Sequence, residues 1–218
     1  MSWRKLKNKG KFIVFEGLEC CGKTTQVSLL KDYLESEGIP CITTREPKGS
    51  TPISNAIYQI LIDPELDGML PTTELHLILA SRYEHLEKVV KPAISEGVTV
   101  ICDRFEQSTI AYQGKGRNQD YNNVLLECYK ASSGMIIDHS IYLDVTVEES
   151  KRRVQERKVN DKWDHLDRDF FCRVRSSFLK HFESHEKHTI INGLQSVDEI
   201  HNQVKDLINK TVFNEISG

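Results

Sequence analysis

Five short apolar, β-branched runs mark the chain, at 12–15, 41–44, 98–102, 141–145 and 189–191. Each reads as a strand buried on both faces, because consecutive apolar residues bounded by turn formers suit a sheet covered on both sides. Between them apolar positions recur with helical spacing, which predicts helices that include 25–37 and a long one at about 72–91. Gly38 and Gly97 stand just before the second and third runs and Gly193 after the fifth, while Pro47, Pro52, Pro64 and Pro71 break up the stretch before the long helix. Strands alternating with helices predict an α/β fold, a five-stranded parallel sheet with helices on both faces. No repeat or linker interrupts the pattern, so 1–218 reads as a single domain.

Composition narrows the function classes. At 218 residues the chain can bury a substantial core without disulfides or metals as staples. A formal charge of −3 offers no general attraction to nucleic acid or to an anionic membrane, so neither is expected as a partner. The six cysteines, at 20, 21, 41, 102, 128 and 172, form no Cys-x-x-Cys pair and read as reduced thiols of a cytoplasmic protein. The basic stretch 1–11 leads into no signal-type apolar segment, and no run approaches the length of a membrane helix.

Chemistry enters at Gly17-Leu18-Glu19-Cys20-Cys21-Gly22-Lys23-Thr24, between the first strand and the first helix. Glycines let backbone N–H groups converge on a polyphosphate, the helix N-terminus adds positive potential, Lys23 reaches the terminal phosphates and Thr24 can ligate magnesium. In an open parallel sheet ligands bind beyond the carboxyl ends of the strands. Glu16-Gly17 follows the first strand, Arg45-Glu46-Pro47 the second and Asp103-Arg104 the third, so these are the candidates, with Arg45 and Arg104 either exposed charges or forks for a phosphate. Asp103 either caps the next helix or holds magnesium. The basic run 148–162, after the fourth strand, is either a solvated helix face or a mobile lid that brings cations onto a transferring group.

Several segments are more particular than the glycine-rich loop: Phe15-Glu16-Gly17-Leu18-Glu19, Gly22-Lys23-Thr24-Thr25-Gln26, Thr44-Arg45-Glu46-Pro47, Ala80-Ser81-Arg82, Asp103-Arg104-Phe105, Ser108-Thr109, Ala111-Tyr112-Gln113-Gly114 and Leu143-Asp144-Val145-Thr146. Together they resemble the thymidylate kinase family, nucleoside monophosphate kinases of the P-loop class, over nearly the whole chain. The resemblance implies a three-layer P-loop NTPase-type fold with a lid at about 151–164, and transfer of the ATP γ-phosphoryl group to dTMP to form dTDP, in dTTP biosynthesis. It implies ATP contacts from Gly17, Cys21, Gly22, Lys23, Thr24, Thr25 and Arg153, and Mg2+ at Thr24 and Asp103. For dTMP it implies Glu19 at the 3′-hydroxyl, Arg45 and Arg104 on the 5′-phosphate, and Arg82 and Thr109 on the thymine ring. Ile78 and Gln113 complete that site, and Tyr112 fills space near the 2′-carbon. Lys23, Arg104 and Arg157 would carry catalysis, Arg157 as the lid arginine. A homodimer is also implied, with the helices at 72–91 and after Asp103 as candidate interface.

The chain departs from the family in places. Cys20 stands where the eukaryotic branch has an arginine, the lid reads Asp161-Lys162-Trp163-Asp164, and Gln155 replaces a second bacterial lid arginine, so Arg157 carries more of the burden. Ile78 replaces an aromatic that stacks on thymine, which predicts weaker acceptor affinity or altered base preference. Lys48 replaces a glycine. Cys20-Cys21 reads as small residues in a tight loop in preference to a redox switch, His181, His185 and His188 as a solvated helical face in preference to a metal site, and Phe170, Phe171, Phe178 and Phe182 as core. A different acceptor, such as dUMP or a deoxynucleoside, and a nucleotide-switched binding module are the alternatives.

Overall fold

Strands β1 (Phe12–Glu16) and β3 (Thr99–Asp103) are buried at every position, which is why their sequences are continuous apolar runs and not alternating ones. With β2 (Cys41–Arg45), β4 (His139–Asp144) and β5 (His188–Asn192) they form one parallel sheet in the order β2-β3-β1-β4-β5. The computed structural model describes residues 9–48, 51–66, 68–132, 134–157, 166–183 and 186–213. All five expected strands are present, with every end within two residues of its expected place. β4 closes at Asp144, so Val145 lies beyond it.

β1 lies in the middle, paired with β3 on one side and β4 on the other. The connection after β1 runs toward β2, whereas the one after β3 crosses to β4, so the chain diverges between the carboxyl ends of β1 and β3. That divergence opens a crevice. In register, Phe15 lies opposite Asp103, and Arg45 opposite Asp103 on the other side. Helix α1 (Lys23–Ser36) starts two residues before the expected 25, its N-cap being Gly22 at φ 105.

Helices α2 (Pro52–Ile62) and α3 (Pro71–His85) pair beside the crevice. The long helix was expected to stop at 91, before Pro92. Instead it passes through a π-helical stretch, Leu86–Val90, into α4 (Lys91–Ser95). Pro92 sits in the first turn of α4, where its missing N–H costs little. Helix α5 (Glu106–Thr109) likewise runs into a π-helical stretch, Ile110–Gly116, that no sequence signal announced, followed by α6 (Tyr121–Ser132).

The remaining helices are α7 (Val147–Glu156), α8 (Arg168–Phe182) and α9 (Val197–Thr211). Phe170, Phe171, Phe178 and Phe182 of α8 are core: Phe178 stacks on Tyr142 with centroids 4.9 Å apart. The expected histidine face is corrected, because His188 begins β5 and only its ring meets that of His181, at 5.0 Å. His185 lies outside the described residues, as do Lys158 and Asp161-Lys162-Trp163-Asp164 of the lid. Among the described residues no helix is long and apolar enough to cross a membrane.

Helix α8 reaches the 110–116 stretch only because Gly116 has no side chain. A Cβ there would stand 2.6 Å from the buried ring of Phe170. Gly116→Ala is therefore expected to lower the unfolding free energy by about 1–3 kcal/mol, as overpacked cores do, with urea denaturation as the check. An unchanged midpoint would show that α8 has room to move.

Candidate active site

The crevice is a cleft of about 390 Å³ roofed by no strand and walled by the phosphate loop, the ends of β2 and β3, and helices α2, α3 and α5. Of the residues singled out from sequence, its wall contains Glu19, Cys21, Gly22, Lys23, Thr24, Thr25, Arg45, Ile78, Arg82, Asp103, Arg104, Thr109, Tyr112, Gln113 and Arg157. Gly17 and Arg153 are outside it. Five cationic side chains face it against three carboxylates, Glu19, Glu46 and Asp103, an excess that suits a polyanion.

The phosphate loop is held from below. Gly17, at φ 149, leaves no space for a Cβ, which would lie 2.5 Å from Cys21 Sγ. Cys21 is buried and packs under the loop, while Cys20 is part-exposed at φ 54, and neither is in a disulfide. Lys23 Nζ donates to the carbonyls of Gly17 at 3.1 Å and Leu18 at 2.7 Å. Arg153 braces the outside of the loop, donating to the Cys20 carbonyl at 3.4 Å and the Gly193 carbonyl at 3.2 Å, and Ser150 Oγ donates to the Glu19 carbonyl at 2.7 Å.

Arg104 faces the loop from the end of β3. Its backbone sits at φ 73, a region that costs a non-glycine residue about 1–3 kcal/mol and persists only where surrounding bonds impose it. Its N–H donates to the Phe15 carbonyl at 2.8 Å, and Nη1 donates to the Gly17 carbonyl at 2.9 Å and Ser108 Oγ at 3.1 Å. Nη2 donates to Glu19 Oε1 at 2.9 Å, Tyr112 Oη donates to Glu19 Oε2 at 2.7 Å, and the guanidinium lies 5.1 Å from the centre of the Tyr112 ring. Arg45, about half exposed, reaches 4.0 Å from Asp103 Oδ2.

Asp103 does not cap α5, whose N-cap position is Phe105. Its Oδ2 accepts a 2.8 Å bond from Thr24 Oγ1, and its Oδ1 is buried with no partner. A loop threonine beside a carboxylate oxygen with spare lone pairs is the donor set a magnesium ion takes, so the residues fit that ion. Arg157 follows α7 and its N–H donates to the Val154 carbonyl at 3.1 Å, where that helix ends.

The end of the cleft beside α3 is more deeply buried. Arg82 is 1% exposed, its Nε donating to Glu46 Oε2 at 2.8 Å and its Nη2 to Thr109 Oγ1 at 2.8 Å, with the guanidinium 4.7 Å over the Phe105 ring. Ile78 packs with Ile57 and Leu61. Gln113 Nε2 donates to buried Glu74 at 3.0 Å, and Arg117 grips the same carboxylate through Nη2 at 2.9 Å. Lys48 lies 5.4 Å from the centre of the Tyr58 ring, and Tyr58 is part of the cleft wall.

These neighbours decide the comparison. The family model described as Thymidylate kinase matches residues 15–204. The chain belongs to the thymidylate kinase family. It is similar to the thymidylate kinase of Neisseria gonorrhoeae, 33% identical over 201 residues that cover 92% of this chain and 97% of the relative. It is likewise similar to that of Fervidobacterium nodosum, 38% identical over 198 residues, 91% of this chain and 98% of the relative. A third, from Caldanaerobacter subterraneus, is 38% identical over 197 residues, 90% and 93% of the two chains. This thymidylate kinase-family chain is thus a kinase, an enzyme of nucleotide biosynthesis that uses ATP.

Sequence reasoning passed over His85 and Glu74, and named Glu16 and Glu46 as strand-end candidates and Ser108 within a family segment without giving any of the three a role. Glu16 stood out only by its place at the end of the first strand. It is fully buried and accepts from the N–H groups of Phe105 at 2.9 Å and Ser108 at 3.1 Å and from the Ser108 hydroxyl, tying β1 to the Arg104 turn. Burial pushes its carboxyl up to about 7, against the hydrogen bonds and the Arg104 charge that lower it. The native state therefore binds a proton that the unfolded chain releases nearer 4.5, and this group's contribution to stability is lost as pH rises toward 7. Glu16→Gln should flatten the decline in unfolding free energy between pH 5 and 8 relative to the parent; parallel pH curves for the two proteins would contradict the burial effect.

Proposed function

We propose that this protein transfers the γ-phosphoryl group of ATP to the 5′-phosphate of dTMP, giving dTDP, as a cytoplasmic homodimer. The observation that carries this reading is the convergence of Lys23 and Arg104 on a single carbonyl, Gly17 O, from opposite sides of the cleft. One cation belongs to the phosphate loop and the other to the acceptor side, so two phosphates held by them meet at the same point.

The acceptor atom is already a phosphate oxygen, so transfer needs alignment and charge neutralisation more than a general base. Gly22, Thr25 and the backbone of Cys21 cradle the donor, Lys23 follows its terminal phosphates, and Arg153 keeps the loop in shape. Thr24 and Asp103 would hold Mg2+, which would supply positive charge to neutralise the donor phosphates. Arg45 and Arg104 fork the 5′-phosphate of dTMP. Exchanging the uncharged Gly17 carbonyl for phosphate oxygens puts an anion opposite each cation, where both partners of the hydrogen bond are ionised.

Glu19, held by Arg104 and Tyr112, accepts from the 3′-hydroxyl, and Tyr112 fills the space a 2′-hydroxyl would need. For the base, Arg82 is the cation in the cleft wall beside Ile78 and Thr109. A donor there pairs with the keto oxygen at position 4 of thymine and opposes the amino group that cytosine carries at the same place. Ile78 supplies aliphatic contact to the ring face, and Thr109 and Gln113 line its edge.

Coupled ADP release tests this with ATP and dTMP, dCMP, the ribose form of TMP, and thymidine at matched concentrations. Preference for dTMP is expected; thymidine turned over better than dTMP, or ATP binding without transfer to any monophosphate, would overturn it. Arg157→Ala is expected to cut kcat by about a thousandfold or more, because a guanidinium at the transferring group is worth that much. Near-normal turnover in that variant would remove Arg157 from the chemistry.

A further inference from the structure

Arg82 makes an unusual grip on Glu46. A guanidinium normally meets a carboxylate fork to fork, one nitrogen on each oxygen. Here both Nε and Nη2 stand 2.8 Å from the same oxygen, Oε2. The other oxygen, Oε1, is taken by Nδ1 of His85 at 2.8 Å. All three side chains are almost fully buried, Arg82 and His85 at 1% exposure and Glu46 at 3%.

The protonation pattern follows from the charges. Burial alone would raise the Glu46 carboxyl, but the Arg82 guanidinium and His85 hold it below its ordinary value, so it is ionised. An ionised carboxylate only accepts, and His85 Nδ1 therefore carries the hydrogen and donates. His85 Nε2 has no partner.

Resting on the reading of Arg82 as the residue that faces the base, we infer that His85, with Glu46, is a positioning residue for acceptor specificity: by occupying Oε1 it confines Arg82 to Oε2 and so fixes the orientation of the guanidinium that faces the base. Thr109 Oγ1 fixes the plane from the third side by accepting from Nη2. With Oε1 free, the guanidinium would swing to a two-oxygen fork. That swing turns the guanidinium and loosens the bond from Nη2 to Thr109. The remaining partners of this cluster do not replace His85: Phe105 meets the guanidinium face-on, Glu106 acts on it through charge from α5, and Cys128 of α6 is a buried thiol whose pKa burial pushes up to about 11, so it brings no charge. His85 itself stands outside the cleft wall, three residues after Arg82 on α3.

The test compares three variants by steady-state kinetics with dTMP and dCMP. Asparagine places a side-chain amide where Nδ1 stands, whereas alanine leaves Oε1 open. His85→Ala is expected to raise the KM for dTMP about tenfold and to lower discrimination against dCMP by a similar factor, the size of one hydrogen bond lost at a specificity site, with kcat at saturation little changed. His85→Asn should restore most of both. Arg82→Gln separates this inference from the reading beneath it. If Arg82→Gln raises the dTMP KM and collapses discrimination while His85→Ala changes neither, His85 is structural only and the inference is overturned. If Arg82→Gln also leaves both unchanged, the base-facing reading of Arg82 fails first. A His85→Asn variant as impaired as His85→Ala would equally overturn the positioning role.

Discussion

The pairing of β1 with β3 governs the chemistry of this molecule. It sets Phe15 opposite Asp103, and one residue further the Arg104 N–H closes on the Phe15 carbonyl at 2.8 Å. Two segments nearly ninety residues apart thereby become adjacent turns, one a phosphate loop and the other a strained Asp-Arg turn. Glu16 completes the junction by accepting from the first N–H groups of α5. Without that junction Arg104 has no reason to remain at positive φ, and the acceptor cation loses its aim at the loop.

Charge is distributed along the cleft according to the work each end does. At the loop end, Lys23 and Arg104 contact backbone carbonyls, partners they can exchange for phosphate oxygens at small cost. At the other end, Arg82 is locked among Glu46, Thr109 and Phe105. The first arrangement favours rearrangement during transfer, the second rigid discrimination. Ile78 fits this division. An aliphatic side chain gives a base face area but little orientation, so orientation falls to the fixed donor.

The sheet and the glycine-rich loop were legible in the sequence because they are local: a buried parallel strand must be apolar along its length, and a phosphate cradle needs its glycines, lysine and threonine within eight residues. Arg45, Asp103 and Arg104 were legible as strand ends on the ligand edge of the sheet. The buried acids were not. Glu16 meets Ser108 across 92 positions, Glu46 meets His85 across 39 and Glu74 meets Arg117 across 43, and no periodicity encodes such pairings. The two π-helical stretches were equally invisible. Each follows a helix without a break, and the apolar spacing that reveals a helix does not distinguish a wider turn over five to seven residues. His188, placed on a helical face by spacing alone, went to an edge strand that is only part-buried and so lacks a strong strand pattern.

The account stands on two phosphates meeting above Gly17 in one cleft. Inhibition by a single molecule that joins adenosine to thymidine through a polyphosphate bridge tests this most directly. The account predicts one molecule bound per chain and competitive inhibition against both ATP and dTMP. Competition against only one of them, with the other still able to bind, would place the substrates in separate sites and contradict it.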